Sequence, residues 1–367
     1  MMSFARSSRV VFSVGVVSLL TLLAVPAHAV TIDLVPVGNA GNANDPATGN
    51  LYGGVAYDYQ IGTYDVTIGQ YADFLNAVAA TDTNSLYNAN MGTSENIRGI
   101  SRTGSSGSYT YSVIAASGSA PNGGVSAGNR PITYVSWWDS ARFTNWMANG
   151  QPTGAQNSTT TENGAYNVNG ATSGTAPAKN VTNPNTSAAP TFFIPNESEW
   201  YKAAYYDPTL NSSAGGYYTY ATQSNTAPDN QIGSTANQAN YAAGFVYSVT
   251  QSSTYLTSQN YLTDVGAFSG SGSFYGTFDQ SGNVYQWNDL NGTSGSSRGL
   301  RGGNWSDNVS AALSSAVRAS NNASNESLDI GFRLASPVAV PEPSTWVMGA
   351  VGLACVAWRS VRRRRAR

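Results

Sequence analysis

Apolar residues recur at helical spacing in three stretches of the chain. In the clearest stretch they occupy positions i, i+3, i+4 and i+7, which places them on one face of a helix. Each stretch follows a polar residue that can cap a helix, with a second polar residue three positions later that can complete a capping box. The sequence therefore predicts three amphipathic helices. The cap pairs are Thr67 with Gln70, Ser136 with Asp139 and Asn196 with Glu199, and the inward residues are Tyr71, Phe74, Leu75 and Val78, then Trp138, Ala141, Phe143, Trp146 and Met147, then Trp200, Ala203 and Ala204.

Two other stretches, 101–128 and 151–190, are dominated by Ser, Thr, Asn, Gly and Ala and show neither helical nor strand periodicity. Such composition predicts loops or insertions. No internal repeat of fixed period is visible, and no Pro-rich linker divides the chain before Pro337. Because about 300 residues suffice for one large domain, we expect a single domain at 30–336 with long loops.

Both ends of the chain carry an apolar run beside arginines. At the N terminus, Arg6 and Arg9 precede the apolar run 10–25. Ala27-His28-Ala29 then offers small residues at the two positions that a signal peptidase recognises. Residues 1–29 are therefore predicted to be a signal peptide that directs export and is cleaved after Ala29.

The C-terminal segment, 337–367, combines three features in a fixed order. A Pro-Glu-Pro box at Pro341, Glu342 and Pro343 precedes an apolar stretch, 345–358, which is followed by arginines. The apolar stretch favours lipid, and each arginine costs about 2.5–3.5 kcal/mol at a bilayer centre, so the basic end resists translocation. We expect the body of the chain, Val30 to Ala339, to face outward and the tail to face the cytoplasm. The arginines are Arg359, Arg362, Arg363, Arg364, Arg365 and Arg367.

This tail resembles the PEP-CTERM sorting signal of Gram-negative bacteria, in which a Val-Pro-Glu-Pro box precedes a membrane segment and a basic end. The resemblance implies processing by an exosortase and delivery to the outer surface or the extracellular matrix, commonly beside exopolysaccharide synthesis. The apolar stretch, at 14 residues, is shorter than the roughly 20 residues that span a bilayer as a helix. A plain C-terminal transmembrane anchor stays open as the alternative.

The net charge of the body and its lack of His and Cys exclude several classes of partner and of active site. Between Val30 and Ala339 the chain has 10 basic and 19 acidic side chains, a net charge of −9. Such a surface repels nucleic acid and anionic lipid, so divalent cations are the more plausible partners. The one His is His28 in the signal peptide, and the one Cys is Cys355 in the tail. The body therefore lacks a disulfide, a Cys/His zinc site, a thiol nucleophile and an imidazole base.

Five segments of the body combine a capped helix start or a glycine turn with tyrosine or tryptophan. They are GTYDVTIGQY at 62–71, PITYVSWWDSA at 131–141, IPNESEW at 194–200, GNVYQW at 282–287, and RGGNW at 301–305 with GFR closing at 331–333. In this order they resemble the formylglycine-generating enzyme (sulfatase-modifying factor) family. The resemblance implies an α+β fold similar to a C-type lectin domain, with little regular secondary structure, long loops and aromatic packing.

The body of this chain lacks the cysteine and histidine residues that hold the catalytic metal in family enzymes. Family enzymes that oxidise a sulfatase cysteine hold copper with two cysteines after the Arg-Gly-Gly motif, and those positions fall on Asp307 and Ala312. Relatives that build carbon–sulfur bonds use iron held by histidines. We therefore expect no catalytic residue, and a non-catalytic binding or structural module that contacts polysaccharide or a surface protein of the exopolysaccharide matrix. The alternatives are an enzyme of the family with altered chemistry, using carboxylates such as Asp307 and Asp329, and a calcium-dependent lectin-like protein.

The family also binds calcium beside its Gly-Asn-x-x-Glu-Trp turn. The resemblance places this site at Asp279, Gly282, Val284 and Gln286, two of them through backbone carbonyls. Gln286 replaces the family's glutamate, so one carboxylate remains and binding is expected to be weak, because calcium affinity follows ligand charge. Calcium is thus a candidate cofactor, and the alternative is a turn closed by hydrogen bonds.

Three further patterns have competing interpretations. Trp287-Asn288-Asp289 matches a calcium-binding string of sugar-binding lectins, but the only partner loop, Asn183-Pro184-Asn185, lacks a carboxylate. Glu197 and Glu199 are typical of a glycosidase pair or, more simply, of capping and dipole compensation at a helix start. A group of tyrosines could stack on saccharide rings or anchor the core. These are Tyr201, Tyr205, Tyr206, Tyr217, Tyr218 and Tyr220.

Overall fold

The structure is a computed structural model, and it describes residues 29–118 and 126–337. The predicted signal peptide, apart from Ala29, and the predicted sorting residues lie outside this part of the chain. No helix within the described residues is long and apolar enough to cross a membrane. The sorting residues concerned are Pro341, Glu342, Pro343, Arg359, Arg362, Arg363, Arg364 and Arg365.

Short helices and strands are separated by long irregular connections. The α-helices are α1 Ile68–Val78, α2 Asn90–Thr93, α3 Trp137–Ala148, α4 Glu197–Tyr205 and α5 Leu210–Ser213, and short 3-10 turns cover Pro46–Thr48 and Ser310–Leu313. The strands are β1 Leu34–Val37, β2 Tyr59–Gly62, β3 Ile100–Thr103, β4 Thr110–Val113, β5 Tyr206–Asp207, β6 Gly216–Tyr217, β7 Ala242–Ala243, β8 Val246–Tyr247, β9 Tyr285–Asn288, β10 Ser297–Arg301, β11 Ala319–Asn322, β12 Ile330–Gly331 and β13 Ala335–Ser336.

The three predicted helices are confirmed as α1, α3 and α4. Each begins with the capping box that the sequence predicts, so two backbone donors that a helix start leaves unpaired are satisfied reciprocally. Helix α1 buries one apolar stripe, as its amphipathic spacing requires. Helix α3 is instead buried on every side, polar residues included. It is therefore the central element of the fold.

The larger sheets of the described residues are two. The first joins the first and last strands, β1 and β13, through β2, and the second contains the strands next to the last two family-like segments. In the first sheet, β2 lies between β1 and β13, and both neighbours are antiparallel to it. The second sheet has the order β11-β10-β9-β12, in which only β12 and β9 are parallel. Because β9, β10 and β12 carry or adjoin the last two of the five family-like segments, this sheet positions the candidate site.

The prediction for 101–128 is wrong in part, because a hairpin of β3 and β4 occupies its first half. Ser and Thr fill most of the exposed positions of these strands, Val113 is exposed as well, and Tyr111 is the buried anchor. Cross-strand pairing and packing against α1 stabilise this hairpin, and neither leaves an apolar alternation in the sequence. The prediction for 151–190 is confirmed, since none of the helices and strands falls there.

Aromatic rings fill the main core between α1, α3 and β12. Phe143 of α3 contacts Tyr71 and Phe74 of α1, and Trp146 and Phe332 on other sides, at ring-centroid distances of 5.3 to 6.1 Å. All five rings are buried. Large rings contribute much apolar area per residue, which stabilises a fold with little regular structure.

Candidate functional site

A glycine turn after β10 positions Asp307. Gly302 and Gly303 have φ of 105° and 73°, values that favour glycine over other residues. A Cβ at Gly303 would also lie 3.1 Å from Oδ2 of Asp307. The backbone can therefore fold closely around this carboxylate. Ala312 lies in the following 3-10 turn, half-buried beside Leu313, where its methyl group contributes to packing.

Asn304 joins two carboxylates at this turn. Its backbone N–H donates to Oδ2 of Asp307 at 2.8 Å, and its side-chain Nδ2 donates to Oδ2 of Asp329 at 3.2 Å. Burial raises the pKa of Asp307, the Asn304 hydrogen bond opposes this, and the charge of Asp329 adds to it. Tyr285 also hydrogen-bonds Asp307, and burial together with that carboxylate raises the pKa of Tyr285 to about 12. Both carboxylates are half-buried and so reachable from solvent.

Four aromatic rings lead from the core to the surface beside these carboxylates, and we call Tyr247, Tyr255, Tyr261 and Trp305 the aromatic stack. Trp305 and Tyr261 lie 5.0 Å apart with 5° between their planes, and Tyr261 and Tyr255 lie 5.7 Å apart with 10°. Trp305 is 3% exposed, whereas Tyr255 is 47% exposed. The outermost ring therefore offers a flat aromatic surface to a ligand.

The aromatic stack is fixed to the loop that carries Asp307. The backbone N–H of Ala242 in β7 donates to the carbonyl of Asp307 at 2.8 Å, and β7 pairs with β8, which holds Tyr247. Two large apolar side chains are exposed here, Phe245 in this hairpin and Val309 in the loop after Asp307. The backbone N–H of Gly244, next to Phe245, donates to the carbonyl of Asn308, next to Val309. These backbone hydrogen bonds thus join the hairpin that carries Tyr247 to the loop that carries Asp307.

The residues of the predicted calcium site lie in a tight turn closed by hydrogen bonds. Nε2 of Gln286 donates to the carbonyl of Asp279 at 2.8 Å. Oε1 of Gln286 accepts from Nε1 of Trp200 at 2.7 Å and from Nε of Arg333 at 2.6 Å. Gly282 has φ of 87°, and a Cβ there would lie 2.4 Å from the carbonyl oxygen of Asn240.

Calcium at this turn would have to take the place of two N–H donors at Oε1 of Gln286, and the neighbouring cation, Arg333, would oppose it. Oδ2 of Asp279 already accepts from the backbone of Gly266 at 2.6 Å. The side chain of Val284 packs in an apolar cluster, as its type favours. No group of three or more Asp, Glu, His or Cys suited to a metal occurs in the described part of the chain. Calcium binding at Asp279, Gly282, Val284 and Gln286 stays a prediction.

The lectin-like string is used by the core. Asp289 accepts from Nε1 of Trp137 at 2.7 Å and from the hydroxyl of Tyr166 at 2.5 Å, and it pairs with Arg298 at 3.4 Å. Both Asp289 and Asn183 are buried. Their oxygens therefore serve packing and hydrogen bonds inside the fold.

The two glutamates at the start of α4 have separate partners. Glu199 closes the capping box with the backbone of Asn196 at 2.7 Å and accepts from the hydroxyl of Tyr57 at 2.6 Å. Glu197 pairs with Arg301 and Arg318, each at 2.8 Å. The capping interpretation is confirmed for Glu199, and Glu197 lies in the first turn of α4 and also forms an ion-pair network.

The tyrosine group predicted as saccharide platforms or core anchors is mostly core. Tyr201, Tyr205, Tyr206 and Tyr220 are buried, and Tyr217 and Tyr218 are half-buried. The aromatic stack was not predicted, because its members are separated by up to 58 positions along the chain. The one available signal was Tyr247 and Tyr255 within an otherwise Ser- and Thr-rich segment.

A sequence model of the sulfatase-modifying factor enzyme 1-like domain (FGE-sulfatase) matches residues 35–338. The chain belongs to this family. Its α+β fold with little regular secondary structure is thus the fold of the sulfatase-modifying factors. A second model, the PEP-CTERM protein-sorting motif, matches residues 339–364. The sulfatase-modifying-factor domain is therefore followed directly by a motif for export and surface sorting in Gram-negative bacteria, which implies processing by an exosortase and anchoring through the C terminus.

Three solved structures are similar to this member of the family. The crystal structure of CarF is 20% identical, with 84% of this chain and 99% of that chain covered and a TM-score of 0.44. Treponema denticola variable protein 1 is 17% identical, with 85% and 97% covered and a TM-score of 0.42. PvdO from Pseudomonas aeruginosa is 16% identical, with 83% and 93% covered and a TM-score of 0.41. No match is found among the curated proteins.

Proposed function

We propose that this exported, surface-sorted protein is a non-catalytic binding module of the exopolysaccharide matrix, and that it binds saccharide at the surface formed by the aromatic stack and the two carboxylates. The proposal rests on the two positions where the family resemblance implies copper-binding cysteines. Asp307 and Ala312 stand there, and the body from Val30 to Ala339 has neither Cys nor His. Loss of an essential catalytic group costs on the order of a million-fold in rate.

The surface itself supports a carbohydrate ligand. Ligand sites combine aromatic lining with a few polar groups that fix orientation. Tyr255 supplies an exposed ring at the end of a rigid stack, and Asp307 and Asp329 supply half-buried acceptors that Asn304 holds in place. In this proposal one ring of a saccharide chain covers Tyr255 and other units of the chain donate hydroxyl groups to the two carboxylates. Such binding needs no metal and no reactive group.

A saccharide-array screen on the purified protein tests the proposal. We expect binding to one class of polysaccharide, lost in Tyr255→Ala and kept in Tyr255→Phe, which retains the ring but not the hydroxyl bond to Asn96. Phe274→Ala is the matched control, because it removes another exposed ring. Equal losses in Tyr255→Ala and Phe274→Ala, or no binding to any saccharide, would contradict the proposed site.

An enzyme with altered chemistry is the second candidate, and one observation favours it. Asn304 places Asp307 and Asp329 in one hydrogen-bonded unit, and Asp329 adds to the raised pKa of Asp307. Raised carboxyl pKa values are frequent at functional sites. Metal analysis of the purified protein separates the candidates. Stoichiometric copper or iron would favour an enzyme, whereas calcium alone would favour the binding module.

A further inference from the structure

A small cleft at the start of α4 contains an exposed arginine. It has a volume of about 330 Å³, near the lower end of the range for small-molecule sites. The first turn of α4, the turn after β9, the residue before β11 and a loop ahead of β2 form its walls. Its charged lining residues are Glu197 and Arg318, and its apolar ones are Leu51 and Leu290. The cleft shares no lining residue with the aromatic stack or with the two carboxylates of the proposed saccharide surface.

Two guanidinium groups share the single carboxylate of this cleft. Arg301 is buried and places Nε 2.9 Å and Nη2 2.8 Å from Oε1 of Glu197. Its Nη1 donates to the carbonyls of Ser315 and Val317, so all three of its side-chain nitrogens are engaged. Arg318 donates from Nε to both oxygens of Glu197, each at 2.8 Å. One negative charge therefore meets two positive charges, and the surplus lies on Arg318.

The unused hydrogen-bonding groups of the cleft are donors. In the part of the chain that the structure describes, Nη1 and Nη2 of Arg318 donate to no acceptor, and the side chain is 37% exposed. The hydroxyl groups of Tyr52 and Ser198 and Nδ2 of Asn291, which also line the cleft, likewise donate to no described residue. Oδ1 of Asn291, by contrast, accepts two hydrogen bonds from Thr293. The cleft is therefore suited to a ligand that brings acceptors and a negative charge.

We propose that this cleft binds the carboxylate of an acidic sugar unit, such as a uronate in a polysaccharide. Nη1 and Nη2 of an arginine form a planar fork that matches the two oxygens of a carboxylate. Leu51, which is 64% exposed, and the half-buried Leu290 offer apolar contact to the carbon face of the sugar ring. The sugar as carrier rests on the proposed function, whereas the carboxylate rests on the free donors of Arg318.

Calorimetry with trigalacturonate on the purified protein tests the proposal. We expect heat of binding that is lost with its trimethyl ester, which keeps the sugar chain and removes the charges. Because the body has a net charge of −9, diffuse attraction does not account for binding of an anion.

Three variants locate the binding. Arg318→Gln should weaken it about tenfold, because it removes a charge-assisted fork. This variant should fold, since Glu197 keeps Arg301 as its partner. Asn291→Asp should weaken binding about threefold, because it keeps the Oδ1 acceptor of its turn and replaces the Nδ2 donor with a like charge at an exposed position. Arg98→Gln, an arginine outside the cleft with its own acid partner, is the control and should leave affinity unchanged.

Four results would overturn the proposal. The first is an absence of trigalacturonate heat; if neutral saccharides still bind on the array, the proposed function stands and this site alone fails. The second is equal affinity for the trimethyl ester, which would mean that the charge is not recognised. The third is an equal loss of affinity in Arg98→Gln and Arg318→Gln. The fourth is a loss in Tyr255→Ala with none in Arg318→Gln, which would place the acidic sugar on the aromatic stack.

Discussion

Nε of Arg333 donates a hydrogen bond of 2.6 Å to Oε1 of Gln286, and both side chains are fully buried. The same guanidinium donates to the carbonyls of Gly62 and Phe278 at 2.8 and 2.7 Å. One cation thus joins β2, the turn before β9 and β9 itself. Because Trp200 donates to the same oxygen, Gln286 is the shared acceptor of two buried donors.

Gln286→Leu should destabilise the protein strongly, because it leaves the indole N–H of Trp200 and Nε of Arg333 buried without an acceptor. We expect the free energy of unfolding to fall by about 3–5 kcal/mol. Urea unfolding measures this change. Gln286→Glu is the control, since it keeps the acceptor and adds a charge opposite to that of Arg333. Equal losses in both variants would show that the hydrogen bonds are not the cause.

Calcium binding at the Asp279 to Gln286 turn should be weak in the natural protein and tighter in Gln286→Glu. The added carboxylate offsets the charge of Arg333 and supplies the negative ligand that a hard cation prefers. Calorimetry with calcium chloride measures both affinities. An absence of calcium heat in both forms would count decisively against the site.

The sequence predicted those parts of the fold that local chemistry determines. The three capping boxes place the starts of α1, α3 and α4 because cap and helix lie within four residues of one another. The hairpin of β3 and β4 was missed because its stability comes from cross-strand pairs such as Thr103 with Thr110, which leave no apolar period.

Only those residues of the candidate site that lie close to a family-like motif in the sequence were predicted. Asp307 and Ala312 followed from the family resemblance. Asp329 was named as a candidate carboxylate, but its link to Asn304 spans 25 positions and has no sequence signal. The pairing of Tyr255 with Tyr261 and Trp305 likewise depends on how the irregular chain returns to β10, and only the folded structure brings these rings together.

Stability should fall as pH rises from about 4 to about 8. Burial is the main cause that raises the pKa of four carboxyl groups, to about 8 for Asp65, about 7 for Asp139, and about 6 for Asp279 and Asp289. The pKa of an unfolded Asp is about 3.9. Between the two values the folded protein binds more protons than the unfolded chain, so the free energy of unfolding falls with rising pH.

Thermal unfolding across this pH range measures the effect. Asp65→Asn should flatten the decline, because it removes the group with the widest gap between folded and unfolded pKa. Asp229→Asn, an exposed acid, should leave the slope unchanged. An unfolding midpoint that rises steadily with pH across the window would contradict the assignment.

Replacing Pro341, Glu342 and Pro343 with alanines should leave full-length protein in the inner membrane. The PEP-CTERM motif covers this box and implies processing by an exosortase, which we expect to require the box. Cell fractionation with mass measurement of the recovered protein tests the prediction. Pro337→Ala, just before the motif, is the control and should be sorted normally. Unchanged surface delivery and unchanged mass in the triple variant would refute the role of the box.

The purified protein should not convert a sulfatase cysteine to formylglycine. Copper(I) selects soft sulfur ligands, and neither the carboxylate of Asp307 nor the methyl group of Ala312 supplies one. After incubation with copper, oxygen and a sulfatase-motif peptide, the peptide mass should be unchanged. Replacing both residues with Cys should create copper binding that Asp307→Ser with Ala312→Ser lacks. Aldehyde formation by the natural protein would refute the non-catalytic assignment, since it would require a ligand set other than thiols.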